Sequence, residues 1–365
     1  MKIVIPEKHR FSEERTDAGK GFLILLVVYG HAANFTVSEP YFSHVIKMFH
    51  VACFLLLPFI YDIRPLNFEC LRSRISRYFI PFAFFVVFYG VLNFFTFYDQ
   101  GGLAGWLSRF PEAIFIANAP QLNDFTELEA LWFIPNLISL VCLICLVFGT
   151  LKLSYPAIAG AALFGHLSIG ALPEDIKFLI PYGLCNSIFL FFIGCCIRII
   201  TLRFTHHDLC RWSLLYLVVS VACATAGYFA GFKIKYPTIT LMDYSEILLV
   251  ALYDLFLIST FLFIFTNDVF KKIMILKWLG QNSLIIYLLH LPFLGVGILF
   301  FTSLVGNIDS FYNGLPAIFL IFGLSLFGGS FMAYCLSKMP ELKNIIFPGN
   351  LDSWFNALKL SRLKK

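Results

Sequence analysis

Residues 15–35 read RTDAGKGFLILLVVYGHAANF, a charged lead followed by an apolar run that carries one histidine. This stretch predicts a membrane-spanning helix that begins at Lys20. A helix that enters the bilayer near Gly19 carries His31 to a depth of roughly 18 Å, beyond the middle of a ~30 Å hydrocarbon core. An ionisable side chain at that depth is costly unless it faces a polar cavity, so His31 is a candidate functional residue.

The whole chain has the composition of a membrane protein. Its 365 residues are 59% hydrophobic and 13% charged, and the mean hydropathy is +0.82, whereas soluble domains are about 25% charged. Apolar runs recur along the whole length without a long polar linker between them. We therefore predict an all-α integral membrane protein with a single membrane domain.

Runs long enough to cross the bilayer predict about ten transmembrane helices. We place them at residues 20–37, 44–61, 79–97, 131–150, 155–172, 178–197, 213–231, 246–266, 281–302 and 315–337. With the N-terminus inside, 22 of the 27 Lys and Arg residues fall on the cytoplasmic side and five on the outer side, in agreement with the positive-inside rule. Both termini are thus predicted to be cytoplasmic, with an N-terminal segment 1–19, a ten-helix domain 20–337 and a basic tail 338–365.

The charge and the cysteines argue against two other classes of protein. The net charge of +5 is explained by basic cytoplasmic loops, so we predict no nucleic-acid partner. The ten cysteines lie mostly in apolar runs and lack the ligand spacing of a zinc site. We predict that they are packing residues and that the chain has no metal site.

The longest loop, residues 98–130, is predicted to be external. Its segment 111–118 is apolar enough to lie on the membrane or dip into it. Two interpretations stay open for the loop, which either covers an acceptor site on the external face or is a flexible connector.

A second buried imidazole, His290, lies in the ninth predicted helix. That helix enters from the cytoplasm like the first, so His290 should reach a depth near that of His31, and the two predict a shared polar cavity. Ser283, Tyr287 and His290 are spaced to lie on one helix face. The alternative for His290 is a structural histidine that bonds a backbone carbonyl.

Three arginines, Arg72, Arg74 and Arg77, lie at the predicted cytoplasmic surface between the second and third helices. Guanidinium groups bind phosphate through paired hydrogen bonds, which suits the phosphates of a cytoplasmic donor. The other interpretation is topology control together with contacts to anionic lipid headgroups. The two interpretations are compatible.

Five short motifs follow one another between residues 15 and 337. They are Arg15 and Asp17 before Lys20-Gly21, Val27-Val28-Tyr29-Gly30-His31, Arg74-Ile-Ser-Arg77 before Pro81, Leu131-Trp132-Phe133, and Gly280-Gln-Asn-Ser283 through Ile286-Tyr287-Leu288 to His290. Together they resemble the acyltransferase 3 family of integral membrane O-acyltransferases. This chain has Lys20 where many members have Arg, and in this respect it is similar to the branch that resembles fucose O-acetylases. In helix 2 this chain reads His50-Val51-Ala52-Cys53-Phe54, where the family usually shows Met-Pro-Leu-Phe-Phe and then Ser-Gly.

The resemblance implies transfer of an acyl group, most simply acetyl from cytoplasmic acetyl-CoA, to a hydroxyl of a cell-surface glycan or lipid-linked sugar. The location would be the cell inner (plasma) membrane, with membrane lipids as further partners and acetyl-CoA as co-substrate without a bound cofactor. The residues that would carry the reaction are His31 as general base, His290 as the second catalytic residue, Lys20, Arg74 and Arg77 for donor binding, and Asp17, Trp132, Ser283 and Tyr287 in the pocket. Removal from water favours the neutral imidazole, which is the form that acts as a base.

A rival interpretation is a proton-coupled transporter or flippase for a sugar or an organic anion. Buried His and Asp residues also suit proton-coupled carriers. Transport needs a path to both faces and no acyl donor, whereas transfer needs acetyl-CoA. A membrane scaffold is disfavoured because polar residues lie within several of the predicted spans.

Overall fold

The computed structural model consists almost entirely of helices. It describes residues 7–33, 40–96, 102–115, 117, 119–126, 129–151, 154–168, 182–229, 244–305 and 315–363. No strand occurs in these ranges, so the all-α class predicted from the sequence is confirmed.

The helices range from short surface turns to segments of membrane-spanning length. In chain order the α-helices are α1 (Glu13–Ala33), α2 (Pro40–Leu56), α3 (Phe68–Arg74), α4 (Ile80–Thr96), α5 (Gly102–Phe115), α6 (Ala119–Thr126), α7 (Phe133–Ile144), α8 (Tyr155–Ser168), α9 (Tyr182–Arg203), α10 (His206–Arg211), α11 (Ser213–Phe229), α12 (Tyr244–Thr266), α13 (Asp268–Lys272), α14 (Met274–Gln281), α15 (Ser283–Val305), α16 (Leu315–Lys338), α17 (Pro340–Ile346) and α18 (Leu351–Leu363). Short 3₁₀ segments are Glu7–His9, Leu57–Ile60 and Glu129–Trp132, and π turns are Ile75–Phe79 and Cys145–Thr150.

The described residues form two compact units. The first unit comprises the described parts of Asp62–Cys195 and Leu336–Lys365, and the second those of Ile5–Tyr61 and Cys196–Cys335. One limit between them falls after Tyr61, and the other two fall inside α9 and α16. Helices α1, α2 and α10 to α15 therefore belong to the second unit, and α3 to α8, α17 and α18 to the first.

Each predicted membrane span overlaps a helix in the part of the chain that the structure describes. Five helical segments in that part are long and apolar enough to cross a bilayer, namely Phe68–Phe95, Phe133–Thr150, Leu248–Lys272, Ser283–Ser303 and Ala317–Lys338. Two shorter apolar segments are Phe49–Ile60 and Ser213–Phe229. The full set of ten spans, the domain limits and the cytoplasmic location of both termini stay predictions.

The first helix begins at Glu13, seven residues before the predicted start at Lys20. The Ser12 hydroxyl accepts a hydrogen bond from the backbone N–H of Arg15 at 3.4 Å and so caps the helix. Glu13 and Glu14 lie in the first turn, where a negative charge complements the helix dipole. The charged lead of the opening stretch is therefore the beginning of α1.

Helix α1 crosses α14 at a point where two glycines let the backbones touch. A Cβ added to Gly21 would overlap the carbonyl oxygen of Leu276, and a Cβ added to Gly280 would overlap that of Asp17. Small residues permit this close approach between helices, so neither position has room for a side chain. The crossing fixes the backbone that carries Asp17 and Lys20.

The arginine motif, Arg74-Ile75-Ser76-Arg77, lies on a nearly continuous helix that runs from α3 into α4. The Asn67 side chain caps its start by accepting a hydrogen bond from the Cys70 N–H at 2.9 Å. Between α3 and α4 the Ile80 N–H bonds the Ile75 carbonyl five residues back, which makes a π turn. Pro81 follows and has no N–H to continue the ordinary pattern, so the motif carries a local change of helical pitch.

Candidate active site

A small apolar cluster in the second unit holds α1 next to α15 and α16. Its buried members are Ala32, Leu294, Ile318 and Ile321, with Tyr29 and Phe322 packed against them. The Tyr29 and Phe322 rings meet edge to face with their centroids 6.1 Å apart. His31 follows Tyr29 by two residues, so this packing constrains the part of the α1 backbone that carries His31.

The structure brings the two predicted imidazoles together. The ring centroids of His31 and His290 lie 5.2 Å apart, and the ring planes are inclined by 45°. His290 is fully buried and His31 is half-buried. One polar site inside the second unit therefore receives a histidine from α1 and a histidine from α15.

The hydrogen bonds of His290 define which ring nitrogen carries the proton. Its Nδ1 lies 2.7 Å from the carbonyl oxygen of Tyr287 and 3.2 Å from that of Ile286. A carbonyl oxygen only accepts, so Nδ1 carries the hydrogen and donates it. In the neutral ring Nε2 then holds the lone pair, and this buried atom has no hydrogen-bond partner among the described residues. Neutral His290 is thus a proton acceptor, and it can polarise an acyl carbonyl only after protonation.

Helix α16 supports the backbone of His290 from behind. The buried Ser325 hydroxyl donates a hydrogen bond to the His290 carbonyl oxygen at 2.9 Å. A Cβ added to Gly329 would lie 3.3 Å from the His290 Cβ, so α16 passes close to this residue. The packing and the bonds at Nδ1 together hold the ring in one orientation.

A third imidazole lies close to the pair. His50 on α2 is buried, and its Nδ1 donates to the Ile46 carbonyl at 2.6 Å. A Cβ added to Gly30 would lie 3.8 Å from His50 Nε2, so this ring edge faces α1 one residue before His31. The sequence alone gives His50 no role, because spacing along one helix does not show which neighbour the helix faces.

The predicted pocket residues of α15 lie on one face of the helix but at different heights. Tyr287 is buried, and its ring centroid is 6.1 Å from that of His290. Ser283 is the first residue of α15, seven residues before His290, which corresponds to roughly 10 Å along the axis. Tyr287 therefore lies beside the imidazole pair, whereas Ser283 lies two turns away.

Lys20 and Asp17 form an ion pair nearer the start of α1. The Lys20 Nζ lies 2.6 Å from the Asp17 Oδ1, and the two side chains are 24% and 17% exposed. Lys20 precedes His31 by eleven residues, which is roughly 16 Å along the helix. A phosphate held by Lys20 would therefore lie well away from the imidazoles and would share the ammonium group with Asp17.

Arg15 ties the first turn of α1 to α12 and α13. Its guanidinium donates to Asp268 Oδ1 at 2.5 Å and to the Thr266 carbonyl at 3.1 Å. The Lys271 Nζ lies 2.7 Å from the same Asp268 Oδ1. Burial, together with the charge of Arg15, lowers the pKa of His206 to about 4, so that ring is neutral at pH 7.

The first unit carries the three predicted arginines in different environments. Arg74 is half-buried, and within the described ranges its Nε has no hydrogen-bond partner. Arg77 is exposed. Arg72 donates to Asp352 of α18 at 2.5 Å. Arg74 and Arg77 thus offer donors to a ligand, while Arg72 is engaged with the C-terminal helix.

Trp132 lies at the start of α7, whereas the helix that carries the arginines contacts the residues that follow the end of α7. Trp132 is half-buried and ends the 3₁₀ segment before α7. Thirteen residues later, the Cys145 Sγ lies 3.6 Å from the Sγ of Cys70, which is on the helix that carries Arg74. Thirteen helical residues rise roughly 20 Å, so the first unit does not bring Trp132 to the arginines. The other predicted site residues, Asp17, Lys20, His31, Ser283, Tyr287 and His290, lie in the second unit.

Arg198 is a buried guanidinium that the topology prediction counts among the cytoplasmic loop charges. It has no exposed surface, and its Nη1 donates to the carbonyls of Phe59 at 2.8 Å and Tyr61 at 3.0 Å. These carbonyls end the helical segment that follows α2, so Arg198 satisfies groups that the helix leaves unpaired. Arg198 lies inside an apolar run of the sequence, and this position is the signal from which its burial could have been predicted.

Comparison with known families assigns the chain as a whole. A family model described as an acyltransferase domain matches residues 14–335, which is most of the chain. The chain belongs to the acyltransferase 3 family. No curated protein and no solved structure matches it significantly. Membership and the five apolar helices identify this acyltransferase 3 protein as a multi-pass membrane protein and support membrane acyltransferase activity.

Proposed function

We propose that the protein transfers acetyl from cytoplasmic acetyl-CoA to a hydroxyl of a cell-surface glycan or lipid-linked sugar, as the fucose O-acetylase-like branch would. The proposed location is the inner (plasma) membrane. The observation that carries the proposal is the pairing of half-buried His31 with fully buried His290, which lies inside the region that matches the acyltransferase family.

A general base is the main chemical requirement of this reaction. A sugar hydroxyl attacks a thioester slowly unless its proton is removed as the new bond forms. In our proposal His31 takes that proton while the hydroxyl oxygen attacks the acetyl carbonyl carbon. The tetrahedral intermediate then expels the CoA thiolate, which recovers the proton from the His31 imidazolium. The products are an acetyl ester and CoA.

His290 orients and supports His31 in this scheme. In the structure its Nε2 has no hydrogen-bond partner among the described residues; in our proposal the His31 ring turns when substrate binds and donates a hydrogen bond to this Nε2, which leaves the other His31 nitrogen unprotonated toward the acceptor. The Tyr287 hydroxyl supplies an O–H donor for the acyl carbonyl, a role that neutral His290 cannot fill. We propose Ser283 in the second unit and Trp132 in the first unit as pocket residues.

We propose Lys20 in the second unit and, separately, Arg74 and Arg77 in the first unit as donor-binding residues. Acetyl-CoA carries its phosphates and its thioester at opposite ends of an extended chain. The distance of roughly 16 Å between Lys20 and His31 along α1 suits such a donor. The buried Nε of Arg74, which has no partner among the described residues, supports a ligand at that guanidinium, since buried polar groups are normally satisfied.

We expect Arg74→Gln and Arg77→Gln each to raise the KM for acetyl-CoA by about tenfold, because one charge-assisted hydrogen bond to phosphate is lost. The KM for the acceptor should not change. Initial rates in membranes, measured against acetyl-CoA at fixed acceptor, test this expectation. Arg64→Gln is the matched control because Arg64 is an exposed arginine of the same unit. A rise in the acceptor KM with unchanged acetyl-CoA dependence would assign the arginines to the acceptor instead.

Sealed membrane vesicles of the two orientations test the sidedness of the reaction. Acetyl-CoA does not cross a bilayer, so inverted vesicles should transfer acetyl label to glycan or glycolipid. Right-side-out vesicles should do so only after permeabilisation. Movement of a sugar or an organic anion without acetyl-CoA, and without label in any acceptor, would identify a transporter and refute the proposal.

A further inference from the structure

Two helices of the first unit, α5 and α6, pack beside the last turns of α4. The Trp106 indole N–H donates to the Gly90 carbonyl at 2.8 Å, and the Asn93 amide donates to the Phe125 carbonyl at 3.1 Å. The rings of Trp106 and Phe125 lie 5.0 Å apart, and a Cβ added to Gly90 would overlap the Phe125 ring. The predicted external loop thus contains a helical hairpin that is packed against a membrane span.

These contacts place the hairpin at membrane depth. The candidate span Phe68–Phe95 includes α4, and Gly90 lies six residues before the end of α4 at Thr96. Six helical residues correspond to about 9 Å along the axis. Side chains at the level of Gly90 therefore lie within the hydrocarbon region if α4 crosses the bilayer up to its last turn.

Helix α5 has two apolar faces and one polar face. The face that packs toward α4 and α6 consists of Trp106, Phe110, Ala113 and Ile114. Leu103, Leu107 and Phe115 are 60%, 53% and 78% exposed. At about 100° per residue, Leu107, Pro111 and Phe115 occupy the neighbouring arc of the helix, whereas Leu103 in the first turn projects in the same direction as Phe110 and Ile114. Ser108 and Glu112 follow on the next arc. An exposed apolar arc between a packed face and a polar face is typical of a helix that lies at a lipid interface.

The polar side chains of the hairpin bond its own backbone carbonyls. Arg109 donates to the Asp124 carbonyl at 2.9 Å and to the Gly105 carbonyl at 3.1 Å. The Thr126 hydroxyl donates to the Leu122 carbonyl at 2.6 Å. Hydrocarbon cannot satisfy backbone groups, so such internal pairing is what a segment at membrane depth requires.

We propose that α5 and α6 form a hairpin embedded in one leaflet of the bilayer. Leu107, Pro111 and Phe115 contact lipid acyl chains, and Glu112 faces the headgroups. The leaflet is the one at the end of α4 remote from Arg74 and Arg77. Lipid is the occupant that fits because α4, against which the hairpin packs, itself exposes apolar side chains, namely Phe84, Val87, Phe88, Val91, Leu92 and Phe95.

Tryptophan reporters on the full-length protein test this placement. Leu107→Trp and Phe115→Trp put a reporter on the apolar arc, and Glu112→Trp is the matched control on the polar arc, about 140° from Leu107 around the helix. The proteins are reconstituted in phosphatidylcholine bilayers with or without bromine on the acyl chains, and the wild-type emission is subtracted. We expect acyl-chain bromine to remove most of the added emission of the first two variants and iodide to leave it intact. Glu112→Trp should show the reverse.

Two results would overturn the proposal. Quenching of Leu107→Trp and Phe115→Trp by iodide would show that the arc faces water. Quenching by neither agent would show that protein covers it. Phe115→Trp retains an aromatic ring at the most exposed position of the arc, so the test does not depend on how the hairpin tolerates the change at Leu107.

Discussion

His31→Gln should lower kcat for acyl transfer by about 10²- to 10⁴-fold, the contribution of a positioned general base. Glutamine retains much of the bulk and hydrogen-bonding capacity of histidine, but it cannot take a proton from the attacking hydroxyl. The KM for acetyl-CoA should change little, because the donor phosphates are bound elsewhere. The measurement is the initial rate in membranes that contain equal amounts of inserted protein.

The histidine next to it provides an internal comparison. His290→Gln should lose less activity than His31→Gln, since His290 acts through His31. The double variant should be no slower than His31→Gln alone, because residues that act as a unit are not additive. His207→Gln changes an exposed histidine and should leave the rate unchanged. Wild-type activity of a correctly inserted His31→Gln protein would show that another group is the base.

Gly21→Ala should cost roughly 3 kcal/mol or more of stability, at the upper end of the range for overpacking, because a Cβ there overlaps backbone and not a movable side chain. The α1–α14 crossing would have to open, which would also displace Asp17 and Lys20. The expected result is a large fall in the thermal unfolding midpoint and in the yield of monodisperse protein in detergent. Gly280→Ala forces apart the same crossing from the side of α14, because its Cβ overlaps the Asp17 carbonyl oxygen, and this variant should lose a similar amount of stability.

A glycine in open space serves as the control for this prediction. Gly295 on α15 has no atom within 4 Å of an added Cβ. Alanine is the better helix former by about 1 kcal/mol, so Gly295→Ala should match or slightly exceed the wild type in stability. Equal stability of Gly21→Ala and Gly295→Ala would mean that α1 and α14 do not approach as closely as described.

Residue counting along helices predicted the meeting of His31 and His290. It worked because the rise per residue is constant, so two helices that start at the same surface carry equal numbers of residues to equal depths. The same rule explains why the sequence grouped Ser283 with His290 on one face of α15. Spacing identifies a face, but residues on one face can lie two turns apart.

The contacts between helices were much less predictable. Nothing in the local spacing shows that His50 faces Gly30, or that Arg198 bonds the carbonyls of Phe59 and Tyr61. These contacts depend on which helices become neighbours, and in a membrane protein every apolar helix presents much the same surface to the others. The helical structure of α5 and α6 was not predicted for a related reason, since the apolar stripe is shorter than a membrane span. The sequence indicated only that segment 111–118 could lie on the membrane or dip into it.

The most direct test of acetyl transfer uses the purified protein in lipid nanodiscs with acetyl-labelled CoA and a mixed extract of glycolipids and polysaccharide. We predict that the wild type moves label into the acceptor fraction, that mild alkali releases this label as acetate because it is held as an ester, and that His31→Gln moves label about 10²- to 10⁴-fold more slowly. Folded wild-type protein that leaves all label outside the acceptor fraction would contradict the proposed acetyl transfer.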